Sequence, residues 1–304
     1  MTAFYALSLG AGQVSTALAI AIADRLVVDG YDFGQFAPLG SCTFADTGGE
    51  LRATYEHVER LGQYLAPRGV RLDVVRRDGL PLRERVLARA GFALNSSPVV
   101  AERIARLGLV DEYGRVKSAP AIPFHLVGGD SGRAQQHCTR DHKGRPIDRN
   151  TKKLARAAGK LNDVEVLIGY GIDEVDRMRN DTPEEWPEGW RWRYPLIEAK
   201  LGRGWAQRVC RAALGYVPES SACSFCPHRP DVGPGSRAWI KENEPDTYRE
   251  VVEFDAAIRN GYGGLRAKCF LSALRHPVEV AIESEDAQSN LFPTCGRENG
   301  RCFT

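Results

Sequence analysis

The chain opens on an apolar run, residues 3–9 (AFYALSL), that stops at Gly10. An apolar run this short, closed by glycine, predicts a buried strand. Residues 13–26 are rich in Ala, Leu and Ile and contain neither Gly nor Pro, which predicts a buried helix. A second apolar segment, 36–44, runs into Asp46-Thr47-Gly48-Gly49. Behind it, Leu51, Tyr55, Val58, Leu61 and Leu65 recur at three- and four-residue spacing, so 50–65 reads as an amphipathic helix. Residues 70–75 and 164–168 read as further strands. Strands alternating with helices imply a parallel sheet with helices on both faces, an α/β Rossmann-like fold.

Past residue 200 the pattern changes. Helices are expected at 202–213, 236–243 and 247–260, with a cysteine turn between the first two. The tail, FPTCGRENGRCFT, has no period. We therefore expect an α/β nucleotide-binding domain over 1–200 and a smaller helical, cysteine-bearing region over 201–304.

Composition adds little to this. With 43% hydrophobic and 26% charged residues in 304, the chain is of the soluble globular type. No apolar run is long enough to span a membrane, and the start, MTAFYALSLG, has no basic stretch ahead of its apolar run, so no secretion signal is expected. Eight cysteines in such a chain point to reduced thiols or a metal site, and the expected compartment is the cytoplasm. Net charge is only +2, yet Arg133, Arg140, Lys143, Arg145, Arg149, Lys152, Lys153, Arg156 and Lys160 crowd one stretch. That stretch is either a solvated helix face or a wall facing phosphates.

Two segments carry chemistry on their own. SLGAGQVST, 8–16, lies between the first strand and first helix, where glycines permit a tight turn and the helix N-terminus favours an anion. It lacks the Gly-Lys-Ser/Thr ending of a Walker loop. SACSFCPHRP, 221–230, sets Cys223 and Cys226 at metal-ligand spacing but supplies only two ligands. Cys42, Cys210 and Cys269 read as buried thiols. In WPEGWRWRYP, 186–195, Trp186, Trp190 and Trp192 either stack a base beside Arg191 and Arg193 or pin a loop to the core.

Taken in order, SLGAG, Phe44-Ala45-Asp46-Thr47-Gly48, Cys138-Thr139-Arg140 with Lys143 and Arg145-Pro146, Ile168-Gly169-Tyr170-Gly171 with Glu174 and Arg177, Arg193-Tyr194-Pro195-Leu196 and Cys223-Ser224-Phe225-Cys226-Pro227 form a set. The set resembles the phosphoadenosine-phosphosulfate (PAPS) reductase-like branch of the PP-loop (adenine nucleotide α-hydrolase) superfamily, nearest to its phage and bacterial members with SLGAG-type loops. The resemblance runs from about Tyr5 to the tail. Two departures stand out: Val14 occupies the place of the loop aspartate of ATP-cleaving members, and the Glu-Cys-Gly-Leu-His string of the reductases proper is absent.

The resemblance implies a HUP-type sheet and an adenine nucleotide, ATP with or without Mg2+, held by Ser8, Gly10, Gly12, Ser15, Thr16, Asp46, Thr47, Gly48 and Arg145. It implies that Cys138 joins Cys223 and Cys226 as a metal ligand, the three thiolates holding a [4Fe–4S] cluster with one open iron. A zinc site using His137 or His228 is the alternative. Cys138, Arg140, Lys143, Glu174 and Arg177 are the implied catalytic set. The implied activity is sulfur transfer from sulfide or a cysteine desulfurase to an adenylated nucleobase or similar acceptor, free or in a nucleic acid. Two alternatives are a sulfonucleotide reductase using Cys295 or Cys302, and a nucleic-acid-binding component of a DNA sulfur-modification or defence complex. Oligomeric state is not legible.

Overall fold

The computed structural model describes residues 3–89, 102, 122–128, 132–178, 186–260, 262 and 267–284. Five strands form a parallel sheet: β1 (Phe4–Leu9), β2 (Ser41–Asp46), β3 (Leu72–Arg76), β5 (Val164–Ile168) and β6 (Trp190–Arg193). Their order is β3-β2-β1-β5-β6. The register sets Ser8 of β1 opposite Thr43 of β2 on one side and Ile168 of β5 on the other. Succession reverses direction at β1, so a topological switch point lies at its carboxyl end. All six residues of β2 are buried because both faces of this inner strand are covered, whereas edge strand β3 alternates in exposure.

On one face lie α1 (Gln13–Ala23), α2 (Arg52–Leu65) and α5 (Arg203–Leu214), whose Leu18, Ile22, Leu61, Ala206 and Cys210 share a core with Leu7 and Leu9. On the other lies α4 (Arg145–Ala157), where Ala155 meets Phe4, Ala6, Val164 and Val166. Alternate β1 side chains thus feed opposite layers. The expected parallel sheet with helices on both faces is present. Packing does not divide at residue 200, since α5 seals α1 and belongs to the α/β core.

A second core gathers Leu51, α3 (Leu82–Arg89), Phe124, α6 (Arg237–Asn243) and α7 (Pro245–Ile258) around Phe225. A small antiparallel sheet beside it pairs β4 (His125–Val127) with β7 (Lys268–Phe270) and with Gly132–Arg133. Phe225 stacks on Phe254 with ring centroids 4.6 Å apart. Burying that ring contributes about 1.5–3 kcal/mol and anchors the cysteine turn.

The aromatic stretch is a strand rather than a loop. Trp186 and Trp190 are buried, their rings 5.1 Å apart, and the Trp190 indole donates to Leu161 O at 2.6 Å. Arg191 and Arg193 are ion-paired to Glu165. Trp186 and Trp190 are core, as in the reading where the indoles pin the stretch, while Trp192 is half-buried with its ring centre 4.2 Å from that of Trp186. Cys42, Cys210 and Cys269 are fully buried, as expected, and Cys295 and Cys302 lie outside the described residues. No helix among the described residues is long and apolar enough to cross a membrane.

Candidate functional site

The glycine turn sits at the switch point. Gly12 caps α1 without any side-chain hydrogen bond, so no capping side chain covers the first-turn amides. Ser15 folds back onto Gly12 O at 3.3 Å. The end of β5 presses against this turn: a Cβ on Gly169 would stand 2.5 Å from Ser15 Cα, so only glycine fits there. Ser221 packs from the other side, its hydroxyl 3.2 Å from where a Cβ on Gly12 would be. Thr16 points away, fully buried, with Oγ1 2.9 Å from His57 Nε2.

The neighbouring strand end, β2, is built around Asp46. Its Oδ1 accepts from Gly48 N at 2.7 Å and from Tyr55 Oη at 2.8 Å, and its Oδ2 accepts from Arg76 Nε at 2.6 Å. Asp46 therefore closes an Asx-type turn and anchors α2 and β3. Gly48 takes φ +75° there, against Pro81. Next to it, Thr47 Oγ1 donates to Glu50 Oε1 at 3.0 Å and lies 3.2 Å from Cys223 Sγ.

Through this contact the cysteine turn joins the sheet edge. Ser224 N donates to Gly49 O at 2.7 Å, and Cys226 N to Cys223 O at 3.0 Å. Two buried arginines hold the turn by its carbonyls. Arg229 donates to Cys223 O at 3.2 Å and also to Ala222 O and Gly235 O. Arg237 donates to Cys226 O at 2.9 Å, Arg229 O at 2.5 Å and Asp231 Oδ1 at 2.7 Å.

The third side of the site comes from the turn before α4. A π-helical segment, Arg140–Gly144, widens the helix here, a distortion often found at functional sites. It directs Lys143 inward, with Nζ 3.3 Å from Glu50 Oε1 and 3.5 Å from Ser221 O. Burial pulls the Lys143 ammonium down, but Glu50 and the Cys223 and Cys226 sulfurs outweigh it, so its pKa is raised and the charge stays on. Cys138, one turn earlier, is pushed up to about 11 by burial and then by Cys226, against the pull of Lys143. Burial first, then Glu50, also raises Cys223.

The structure thus brings Cys138, Cys223, Cys226, Lys143, Thr47 and the glycine turn into one neighbourhood. Glu174 and Arg177 pair with each other after β5, with Glu174 Oε2 3.5 Å from Gly171 N and the Arg177 guanidinium 4.4 Å from the Tyr170 ring centre. Arg145 binds Asp141 at 2.7 Å on the exposed side of α4, and Arg140 is exposed. His228 Nε2 is 3.1 Å from Gln136 Oε1, and His137 is exposed.

Three soft thiol donors beside buried cations suit a thiophilic metal in kind. In arrangement, no group of three or more His, Cys, Asp or Glu side chains among the described residues is placed to hold an ion. Glu50, Ser221, Arg229 and Arg237 escaped the sequence reading. Glu50 stands three residues after Thr47, the spacing of a side-chain contact across a turn. The arginines flank a Gly- and Pro-rich stretch that offered no periodicity to read.

His57 ties the two halves of the site from behind. Its Nδ1 is 2.9 Å from Tyr216 Oη, so it links the start of α1 to the chain entering the cysteine turn. Burial, with Arg60 adding to it, pulls its pKa down to about 4. An unfolded histidine protonates near pH 6.5. Below that pH the unfolded chain takes up a proton the folded one refuses, so this contribution to stability is lost as pH falls from about 6.5 towards 4. Urea midpoints measured from pH 7 to 4.5 should show His57→Gln less stable at pH 7. Its acid slope should be shallower by about 1.4 kcal/mol per pH unit.

A comparison with known protein families, curated proteins and solved structures finds no match.

Proposed function

We propose that this protein is an adenine-nucleotide-dependent sulfur-transfer enzyme, related to the PAPS reductase-like branch of the PP-loop superfamily that its motifs resemble. The observation that carries the reading is the contact between Thr47, at the carboxyl end of β2, and Cys223, with Lys143 and Glu50 beside them. In this reading the switch point, where open α/β sheets bind ligands, and the thiol cluster share one wall.

In this reading the nucleotide lies across the carboxyl ends of β1, β2 and β5, with its phosphates at the amides of Gly10–Thr16. Lys143, held charged by Glu50, offers positive charge to the phosphates or to the leaving group. The acceptor's carbonyl oxygen displaces pyrophosphate from the α-phosphorus of ATP. Sulfide sulfur then adds at the same carbon, the oxygen departs on AMP, and a thiocarbonyl replaces the carbonyl. Cys138, Cys223 and Cys226 are the residues that would hold a [4Fe–4S] cluster. Bound there, such a cluster would supply a place to keep sulfide. Arg229 and Arg237 hold the thiol-bearing backbone in place for either state.

The test is anaerobic purification with iron and acid-labile sulfide counts, together with ATP binding by calorimetry. It is done on wild type and on Cys138→Ala, Cys223→Ala and Cys226→Ala. About four irons and four sulfides per chain, lost in each variant while ATP still binds, are expected. Zinc in place of iron, iron indifferent to Cys138, or no ATP binding would overturn the reading.

A further inference from the structure

The helix that follows the Lys143 turn carries a second feature. Arg145, Arg149, Lys153 and Arg156 of α4 follow one another at four, four and three residues, so they lie on one face. The opposite face, with Ile147, Thr151 and Ala155, is buried against the sheet. All four cations are exposed, Arg145 by 54% and Arg149 by 61% of its side chain. From first to last they extend about 16 Å at 1.5 Å per residue. At the start of this row stand Arg76 and Arg77, at the carboxyl end of edge strand β3.

Solvated helix faces usually mix signs, and this one does not. The helix's one acid, Asp148, is half-buried at the flank of the row. Elsewhere around it, Asp141 pairs with Arg145 at 2.7 Å and Arg77 at 3.7 Å, Asp78 with Arg149 at 2.5 Å, and Asp46 with Arg76. Arg145 and Arg149 expose more than half of their side chains, and surface pairs such as theirs contribute roughly 0–1 kcal/mol each, so phosphates can displace them. Lys153 and Arg156 have no ion pair among the described residues.

We infer that the acceptor is a single-stranded nucleic acid, its phosphates lying along α4 and its strand running towards the turn that carries Cys138 and Lys143. This rests on the sulfur-transfer reading for its chemistry, but the binding itself does not. The thiol centre is recessed: the Glu50 side chain is fully buried and Cys223 nearly so. A base must leave its stack to reach such a place, which is least costly in a single strand. The single-signed row supplies the backbone contacts that hold the strand while a base turns in.

The experiment is fluorescence anisotropy with a labelled single strand of about 20 nucleotides, as RNA and as DNA, without ATP or sulfide. Failure of the sulfur-transfer chemistry would therefore leave the result standing. Each single-strand phosphate contact gives a log–log salt slope of about −0.7, so four contacts predict roughly 50-fold weaker binding on going from about 50 to 200 mM salt. The triple variant Arg149→Gln, Lys153→Gln, Arg156→Gln should bind roughly tenfold or more weakly and lose about two units of slope. A charge-matched control, Arg52→Gln, Arg71→Gln, Arg191→Gln, should bind as wild type. Matching circular dichroism and melting for both triples keeps the comparison fair. Equal weakening in the two triples, an unchanged affinity in the α4 triple, no binding at low salt, or preference for the duplex of the same sequence would each overturn the inference.

Discussion

Arg237→Ala should destabilise the protein by about 3–5 kcal/mol, as expected when one member of a buried ion pair is removed. The guanidinium is wholly buried and makes four hydrogen bonds, to Asp231 Oδ1 at 2.7 Å, Arg229 O at 2.5 Å, Cys226 O at 2.9 Å and Leu271 O at 2.9 Å. Without it, Asp231 keeps only the Ser272 hydroxyl, at 2.6 Å, for its other oxygen. Three buried carbonyls lose a donor, and the core gains a cavity. Such a loss is about a fifth or more of a typical domain's stability of about 5–15 kcal/mol.

The damage should be local before it is global. Arg237 fastens Cys226, Arg229 fastens Cys223, and Arg237 also fastens Arg229. Near-native conditions should therefore expose Cys223 to a bulky maleimide in the variant but not in wild type. Arg237→Lys keeps the charge but not the planar fork that serves Asp231 and three carbonyls together, so it should fall between the two. Urea unfolding with native-state alkylation checks both parts. Wild-type stability with a sealed Cys223 in Arg237→Ala would mean that Phe225 and Arg229 hold the turn without Arg237.

The difference between Arg237 and Phe225 shows what the sequence made legible. Strands β1, β2 and β5 are buried on both faces and read as plain apolar runs, and α2 shows its face as a three- and four-residue rhythm. Their order, with a glycine turn after the first strand, is enough to place the switch point. Strand β6 was missed because Trp190, Arg191, Trp192 and Arg193 alternate like an edge strand but sit in a stretch punctuated by Pro187, Gly189 and Pro195.

The site was half legible for the same reason. Glycine turns, Cys-x-x-Cys and Asp-Thr-Gly announce themselves by spacing, and all of them meet in the fold. What joins them is long-range: Glu50 to Lys143, Thr47 to Cys223, and Thr16 through His57 to Tyr216. None of these contacts has a local period. Roles shift accordingly. Asp46 faces its own turn, Tyr55 and Arg76, and Thr16 faces His57 rather than the turn it follows. The basic stretch likewise resolves only in three dimensions, into one inward lysine and an outward row.

That inward lysine carries the second large effect, and a double-mutant cycle isolates it. Lys143→Met should cost about 3–5 kcal/mol, because Glu50 is then a buried carboxylate without its cation. Glu50 Oε1 would still accept from Thr47 at 3.0 Å, but Oε2 has no hydrogen-bond partner even with Lys143 in place. Glu50→Gln alone should cost less, since the lysine keeps Ser221 O at 3.5 Å and its side chain is not wholly buried. In the double variant, Lys143→Met with Glu50→Gln, no buried charge is left unpaired. It should be more stable than Lys143→Met, and its loss should fall short of the sum of the two single losses by about 0.5–3 kcal/mol, the range of coupling for residues in direct contact.

The sign of that coupling decides between two roles for the pair. A double loss smaller than the sum by this amount means that Lys143 and Glu50 exist as an ion pair that holds the π-helical turn against the sheet edge, so the lysine is delivered to the site already charged and fixed. Additive losses would mean that the two groups are independently solvated and that the turn is held by Cys138 and His142 packing instead. ATP affinity of the double variant separates structure from function. If the restored protein still binds ATP like wild type, the Lys143 charge serves the fold alone; if it stays weak in spite of restored stability, the charge belongs to the phosphates.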